Sequence, residues 1–305
     1  MTIENVFVLG APADQGIPLV TRLLDAGYQV TAGVRRADAL ADSPFPDLPW
    51  KMADITDAAS LEAAFAGQDA LAMHLPFEFD REVAASFGRN IAQAAKATGL
   101  KKIVFNTSCF VADRDLDLSA HDGRRDIERS LEETGITCVF IEPVVFMNNM
   151  IRVWSKPSIV NRGIFAYSAA PDLKISWVCL DDVAAYMVAA LGTDAADGKH
   201  VPVGGPEALV GDEVAERLSE ATGKPIKFVS ITPDEFAARM SELVTGSREV
   251  EPHSIYDGMA KFYRFYNEQP ESPLIVDPAE TRKLLDVEPT PMRDWLRRWD
   301  WTQPT

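Results

Sequence analysis

The chain is short of cysteine, histidine and positive charge, and each shortage excludes something. Its three cysteines, Cys109, Cys138 and Cys179, are an odd number at wide spacing, each inside an apolar run. They read as buried free thiols, which suits a reducing, cytoplasmic compartment. The four histidines, His74, His121, His200 and His253, are scattered without metal-ligand spacing, so no metal is expected. Thirty basic residues face 46 acidic ones, a net charge of −16, which leaves no basic field for nucleic acid. No apolar run approaches the roughly 20 residues that span a membrane. The first residues run straight into a strand, with no basic-then-apolar leader. Internal repeats and low-complexity linkers are also missing.

What is there is alternation. Val6 to Leu9 is a short apolar run that stops at Gly10, as a fully buried parallel strand would. Ile17, Val20, Leu23 and Leu24 then follow helical spacing, closed by Gly27. Further strands are expected at 28–34, 50–53, 70–73, 102–106 and 137–141. Helices are expected at 61–65, 81–98 and 124–133 between them. This order specifies an α/β fold, a doubly wound parallel sheet of the Rossmann type. After Pro143 the alternation breaks. Residues 146–172 read as loop-rich, 175–180 as a strand, 181–191 as a helix and 200–204 as a late strand. The reading is a core over 1–150 that also receives roughly 175–205. A smaller, interleaved substrate lobe takes most of 151–305.

The stretch from Asn5 to Arg36 carries the chemistry. Gly10-Ala-Pro-Ala-Asp-Gln-Gly16 places two glycines six apart, after the first strand and before the first helix. Gly10 permits a tight turn, Gly16 permits close packing, and the helix amides face a pyrophosphate. Ala13 stands where a third glycine is usual, and Asp14 adds an anion. Arg35 and Arg36 follow the second strand, where arginine suits a 2′-phosphate, so the expected cofactor is NADP(H). Asp54 is placed either for the adenine amino group or as the cap of the helix that follows it.

The order of motifs resembles the NmrA-like branch of the atypical short-chain dehydrogenase/reductase superfamily over nearly the whole chain. The matching pieces are the glycine turn, Val34-Arg35-Arg36, Asp54-Ile-Thr-Asp57, Asn106-Thr-Ser108 and Asp122-Gly-Arg-Arg-Asp-Ile-Glu128. Pro143-Val-Val-Phe-Met-Asn-Asn149, Ile175 to Asp182, Gly204 to Leu209 and Gly223-Lys-Pro225 complete them. The resemblance implies a dinucleotide fold with a small C-terminal substrate lobe. It implies either an NADPH-dependent reductase of aromatic or unsaturated compounds or a regulator that only senses the dinucleotide. It also implies a cofactor lining of Gly10, Pro12, Ala13, Asp14, Gln15, Gly16, Arg35, Arg36, Asp54, Ile55, Leu75, Pro76, Thr107, Arg124, Pro143 and Phe146.

Short-chain dehydrogenases often use Tyr-x-x-x-Lys, and NmrA-like reductases often keep only the lysine. Here those two positions align with Ala120 and Arg124. Arginine can donate to ribose hydroxyls but cannot act as a neutral base. Hydride transfer without the tyrosine needs an electrophilic acceptor such as a quinone, enone or benzylic ether. The catalytic candidates are therefore Arg124, Ser108, His74 and His121. His74, Ser108, Asn148, Tyr167 and Tyr256 are the substrate candidates. A third reading is a non-redox lyase or isomerase using Glu142 or His74 as acid/base. The expected partner is a small aromatic or conjugated molecule, with no nucleic acid and no membrane, and a homodimer is compatible with this reading.

Overall fold

A computed structural model describes residues 2–36 and 43–304. The chain divides into two compact units. The first comprises Met1–Pro143, Leu180–Val203 and Ala279–Glu288; the second comprises Val144–Cys179, Gly204–Pro278 and Pro289–Thr305.

In chain order the elements begin β1 (Asn5–Leu9), α1 (Gly16–Asp25), β2 (Gln29–Val34), β3 (Trp50–Met52), α2 (Ala58–Phe65), β4 (Ala70–His74) and α3 (Arg81–Thr98). They continue with β5 (Lys102–Asn106), α4 (Ser119–Glu132), β6 (Thr137–Pro143), α5 (Lys156–Arg162), β7 (Ile164–Tyr167) and α6 (Leu180–Gly192). The last are β8 (Lys199–Val203), α7 (Gly211–Thr222), β9 (Lys227–Ser230), α8 (Pro233–Thr245), α9 (Ile255–Glu268), α10 (Pro278–Leu284) and α11 (Met292–Leu296).

The first unit is built on a seven-stranded parallel sheet in the order β3-β2-β1-β4-β5-β6-β8. Every residue of β4 and β5 is buried, the pattern of strands covered on both faces. Phe7, Leu71, Ile103, Phe105, Ile127, Leu131 and Phe140 form one continuous core cluster. Packing of α3 against α4 is close because both helices carry glycine at the contact. A Cβ at Gly88 would lie 2.8 Å from the Ile127 Cα, and one at Gly123 would lie 2.8 Å from the Ala84 Cβ. Asp80 caps the start of α3 by accepting from the Glu82 and Val83 amides, and Gly99 closes it in the left-handed region.

In the second unit β7 and β9 form a two-stranded parallel sheet. Its core is aromatic: Phe165, Tyr167, Trp177, Phe236 and Tyr263 meet ring to ring, with centroids 5.1 to 6.2 Å apart. On α9 the buried rings are Tyr263 and Tyr266. Phe262 and Phe265, at the spacing of a core face, are only half-buried.

Two expectations are corrected. Residues 146–172, read as loop-rich, hold more regular structure than that: a 3-10 turn (Met147–Ile151), α5 and β7. Residues 175–180, read as a strand, hold only isolated bridges. Their extended backbone bonds in turn to Leu209, Leu274 and Val145, so no single partner strand forms a ladder. In addition, α4 begins at Ser119, five residues before the expected start, which places Ala120 and His121 on the helix. No helix among the described residues is long and apolar enough to cross a membrane.

Candidate cofactor site

Strand order reverses between β1 and β4, because β2 and β3 lie on one side of β1 and β4, β5, β6 and β8 on the other. Such a switch point opens a crevice at the carboxyl ends of the strands. The glycine turn occupies the end of β1. The Ala13 amide donates to Gly10 O (3.1 Å), and Ala13 O accepts from the amides of Gly16 (2.8 Å) and Ile17 (3.0 Å). Ala13 is thus the pivot of the turn, and it and Asp14 are exposed at its rim.

The turn has no room for side chains at its two glycines. Gly10 has φ +90°, and a Cβ there would lie 2.6 Å from His74 Nε2. A Cβ at Gly16 would lie 2.2 Å from Gly10 O and 2.6 Å from Ala11 O. This backbone-only cradle, opening a helix at a switch point, fits a dinucleotide pyrophosphate.

Two strand ends brace the turn. His74, at the end of β4, lies with Nε2 3.0 Å from Gly10 O. A carbonyl only accepts, so the ring carries its proton on Nε2. Burial, with a smaller push from Arg124, holds its pKa down to about 4, so the ring is neutral. At the end of β5, Asn106 Nδ2 donates to Gln15 Oε1 (2.8 Å), and Gln15 Nε2 donates to Ser108 Oγ (3.0 Å). Gln15 therefore ties the glycine turn to β5. Ser108 has φ +64°, rare for a residue with a Cβ, and its amide donates to Asn106 Oδ1 (2.8 Å). This strained conformation sets Ser108 Oγ beside the turn. Thr107 is fully buried and shares its hydroxyl between Cys109 O and Ile141 O, bonding across to β6.

Arg124 is buried and committed. Its Nη2 donates to Leu75 O (2.8 Å) and Pro76 O (2.9 Å), and its guanidinium lies 4.9 Å from the Phe77 ring centroid. It fixes the loop that follows β4. His121, also buried, is held neutral by desolvation, with its pKa lowered to about 4. Arg35 and Arg36 follow β2 and are exposed; residues 37–42, which come next, are outside the described set. Asp54 Oδ1 accepts from the amide and hydroxyl of Thr56, and the cap of α2 is Asp57. The alternative reading of Asp54 as that cap is corrected. Ile55 O accepts from Asn90 Nδ2. Pro12 lies in the turn and Pro143 ends β6.

Gly10, Gln15, Gly16, His74, Leu75, Pro76, Asn106, Ser108 and Arg124 are thus linked by direct hydrogen bonds or contacts in the first unit. Phe146, Asn148, Tyr167 and Tyr256 belong to the second unit. Tyr167, a substrate candidate, is wholly buried there, with its hydroxyl 2.7 Å from that of Tyr263 and accepting from Asn149 Nδ2 (3.1 Å). It is a core residue of that unit. Tyr256 is half-buried on α9. The three cysteines are buried and outside any disulfide, and burial pushes Cys109 and Cys138 up to about 12, so neither is a ready nucleophile.

Sequence reasoning missed a cluster at the β6–β8 edge of the sheet. Glu128 on α4, Glu142 on β6 and His200 on β8 converge, with His200 Nδ1 2.8 Å from Glu142 Oε1 and 3.7 Å from Glu128 Oε2. The hydrogen bond that His200 donates to Glu142 is the main reason the His200 pKa rises to about 9. Burial is the main reason Glu128 rises to about 8. No spacing rule finds such a group, because its members are separated along the chain. The third reading of the sequence gave Glu142 an acid/base role; here its carboxylate faces His200 at the β6–β8 edge.

Sheet order, switch point and glycine turn together define a Rossmann-like fold. Within that class the chain belongs to the NmrA-like family, which it matches over residues 2–296. Two relatives show the range of the family. The NAD(P)H azoreductase of Xenophilus azovorans is 28% identical across 85% of this chain and 86% of its own length. A (4-alkanoyl-5-oxo-2,5-dihydrofuran-3-yl)methyl phosphate reductase of Streptomyces griseus is 30% identical across 75% of this chain and 78% of its own length. An NADPH-dependent quinone oxidoreductase of Escherichia coli, solved with NADPH, superimposes with a TM-score of 0.78. At 22% identity it covers 96% of this chain and 99% of its own, and shares the fold.

Proposed function

We propose that the chain is an NADP(H)-dependent reductase that delivers hydride to a conjugated small molecule, such as a quinone, enone, azo compound or benzylic ether. The observation that carries this reading is the glycine turn at the switch point, with no room for a side chain at Gly10 or Gly16, braced by His74 and by Gln15–Ser108. The reductase activities named for relatives of the family support it.

NADPH, when bound, supplies the hydride. The chain's own residues bind and orient. Gly10 and Gly16 would let backbone approach the pyrophosphate, and Arg35 would pair with the 2′-phosphate. Ser108 Oγ, which bonds the Gln15 side chain, is the candidate donor to an acceptor oxygen or nitrogen. Ala120 offers no phenol and Arg124 is tied to Leu75 O and Pro76 O, so neither supplies a proton. The acceptor must therefore be electrophilic enough to take hydride without that phenol, with water supplying the proton.

Parallel calorimetric titrations with NADPH and NADH test the cofactor assignment. NADPH is expected to bind at least tenfold tighter, about 1.4 kcal/mol, and Arg35→Ala is expected to erase that margin. A preference for the 2′-phosphate that survives Arg35→Ala would overturn the assignment. The commitment of Arg124 to backbone carbonyls favours one rival, a dinucleotide sensor without turnover. The two readings separate on whether bound NADPH is ever consumed.

A further inference from the structure

We propose that Glu128, Glu142 and His200 form a divalent-cation site at the β6–β8 edge of the first unit, distinct from the glycine turn. One ligand atom from each lies within 4.8 Å of the others. Zinc bonds to imidazole nitrogen and carboxylate oxygen at about 2.0–2.2 Å, so neighbouring ligands of a tetrahedral site lie about 3.4 Å apart. The separations from His200 Nδ1, 2.8 Å to Glu142 and 3.7 Å to Glu128, straddle that value.

A second observation is independent of the cluster. Glu128 is 1% exposed, and its Oε1 is buried with no hydrogen-bond partner. A buried carboxylate oxygen is normally satisfied, so an unsatisfied one marks a place for a missing partner. Glu128, Glu132, Glu142 and His200 share the wall of a cavity of about 490 Å³, large enough for an ion with water on its open side.

The surroundings are compatible with a dication. Glu128 and Glu142, two buried carboxyl groups, match its charge when both are ionised. Arg125 and Arg129 also line the cavity, but both have other acidic partners: Arg125 pairs with Asp115, and Arg129 lies 3.9 Å from Asp126. The scaffold is rigid. Glu142 and His200 sit on adjacent strands in fixed register, and the His200 ring stacks on Phe140 at 4.6 Å. Mixed nitrogen and oxygen donors favour zinc, manganese or ferrous iron over magnesium or calcium. Three protein ligands leave a fourth position toward the cavity, the arrangement of open rather than closed sites.

Equilibrium dialysis of the chelator-stripped full chain against zinc chloride, with elemental analysis, tests this. One zinc per chain is expected. His200→Ala and Glu142→Gln should each weaken binding at least tenfold, while His253→Ala, at an exposed histidine outside the cluster, should not. Matched thermal melts establish that the variants are folded. Absence of stoichiometric zinc would overturn the site and leave a hydrogen-bonded acid–histidine cluster. Wild-type affinity in either His200→Ala or Glu142→Gln would overturn it as well.

Discussion

Gly16→Ala is expected to remove dinucleotide binding, lowering NADPH affinity at least a hundredfold, about 2.7 kcal/mol. The cause is steric. The new methyl would sit 2.2 Å from Gly10 O, 2.6 Å from Ala11 O and 2.7 Å from the Ala11 carbonyl carbon. All three are backbone atoms, which cannot swing away as the end of a side chain can. The turn must open, and with it go the Ala13–Gly10 and Gly16–Ala13 hydrogen bonds. The Gln15 bridge to Asn106 and Ser108 moves too, so the damage reaches β5. Ala13→Gly is the opposing control. Ala13 is exposed at the rim, and removing its methyl is expected to leave NADPH affinity unchanged or raise it. Calorimetry on both variants, with thermal melts to separate folding from binding, checks the pair. Gly16→Ala binding NADPH as the parent does would mean that the ligand does not use this turn.

The second large effect is on acid stability. His74 and His121 are buried, and desolvation holds both near pKa 4 against an ordinary value of 6.5. The unfolded chain therefore binds more protons than the folded one between those values. Their contribution to stability is full above about pH 6.5 and is lost as pH falls toward 4. At pH 5 the loss is about 2 kcal/mol for each histidine. The groups acting on them are Arg124, which pushes both pKa values down, and Asp14 and Gly10 O, which push His74 up. His200 and Glu128 have raised pKa values and act in the opposite sense, gaining stability as pH falls. The informative quantity is therefore a difference. Urea unfolding at pH 8 and pH 5 should show the His74→Gln, His121→Gln double variant losing about 4 kcal/mol less than the parent over that interval. Equal losses would mean that these histidines are not held neutral.

The sequence made the sheet legible because its strands are buried on both faces. Runs such as Ala70 to Met73 and Lys102 to Asn106 have no competing periodicity, and glycines at 27 and 99 mark helix ends. The glycine turn was legible for the same local reason. What escaped depends on contacts between distant segments. Ile175 to Leu180 has the composition of a strand, but its partners come from three places. Tyr167 was open to a substrate reading until Tyr263, 96 residues later, enclosed its hydroxyl. Arg124 could be placed opposite a lysine position by motif, but its commitment to Leu75 O and Pro76 O could not. The Glu128–Glu142–His200 cluster needs the β6–β8 register to exist at all.

The central claim is that NADPH bound at the glycine turn is consumed by a conjugated acceptor. The most direct test is anaerobic mixing of the protein with NADPH and a panel of quinones, enones, azo dyes and benzylic ethers, following loss of NADPH absorbance. The account predicts acceptor-dependent oxidation of NADPH, faster than with NADH, and absent in Gly16→Ala. Tight NADPH binding with no oxidation by any acceptor class would contradict it and leave a dinucleotide sensor.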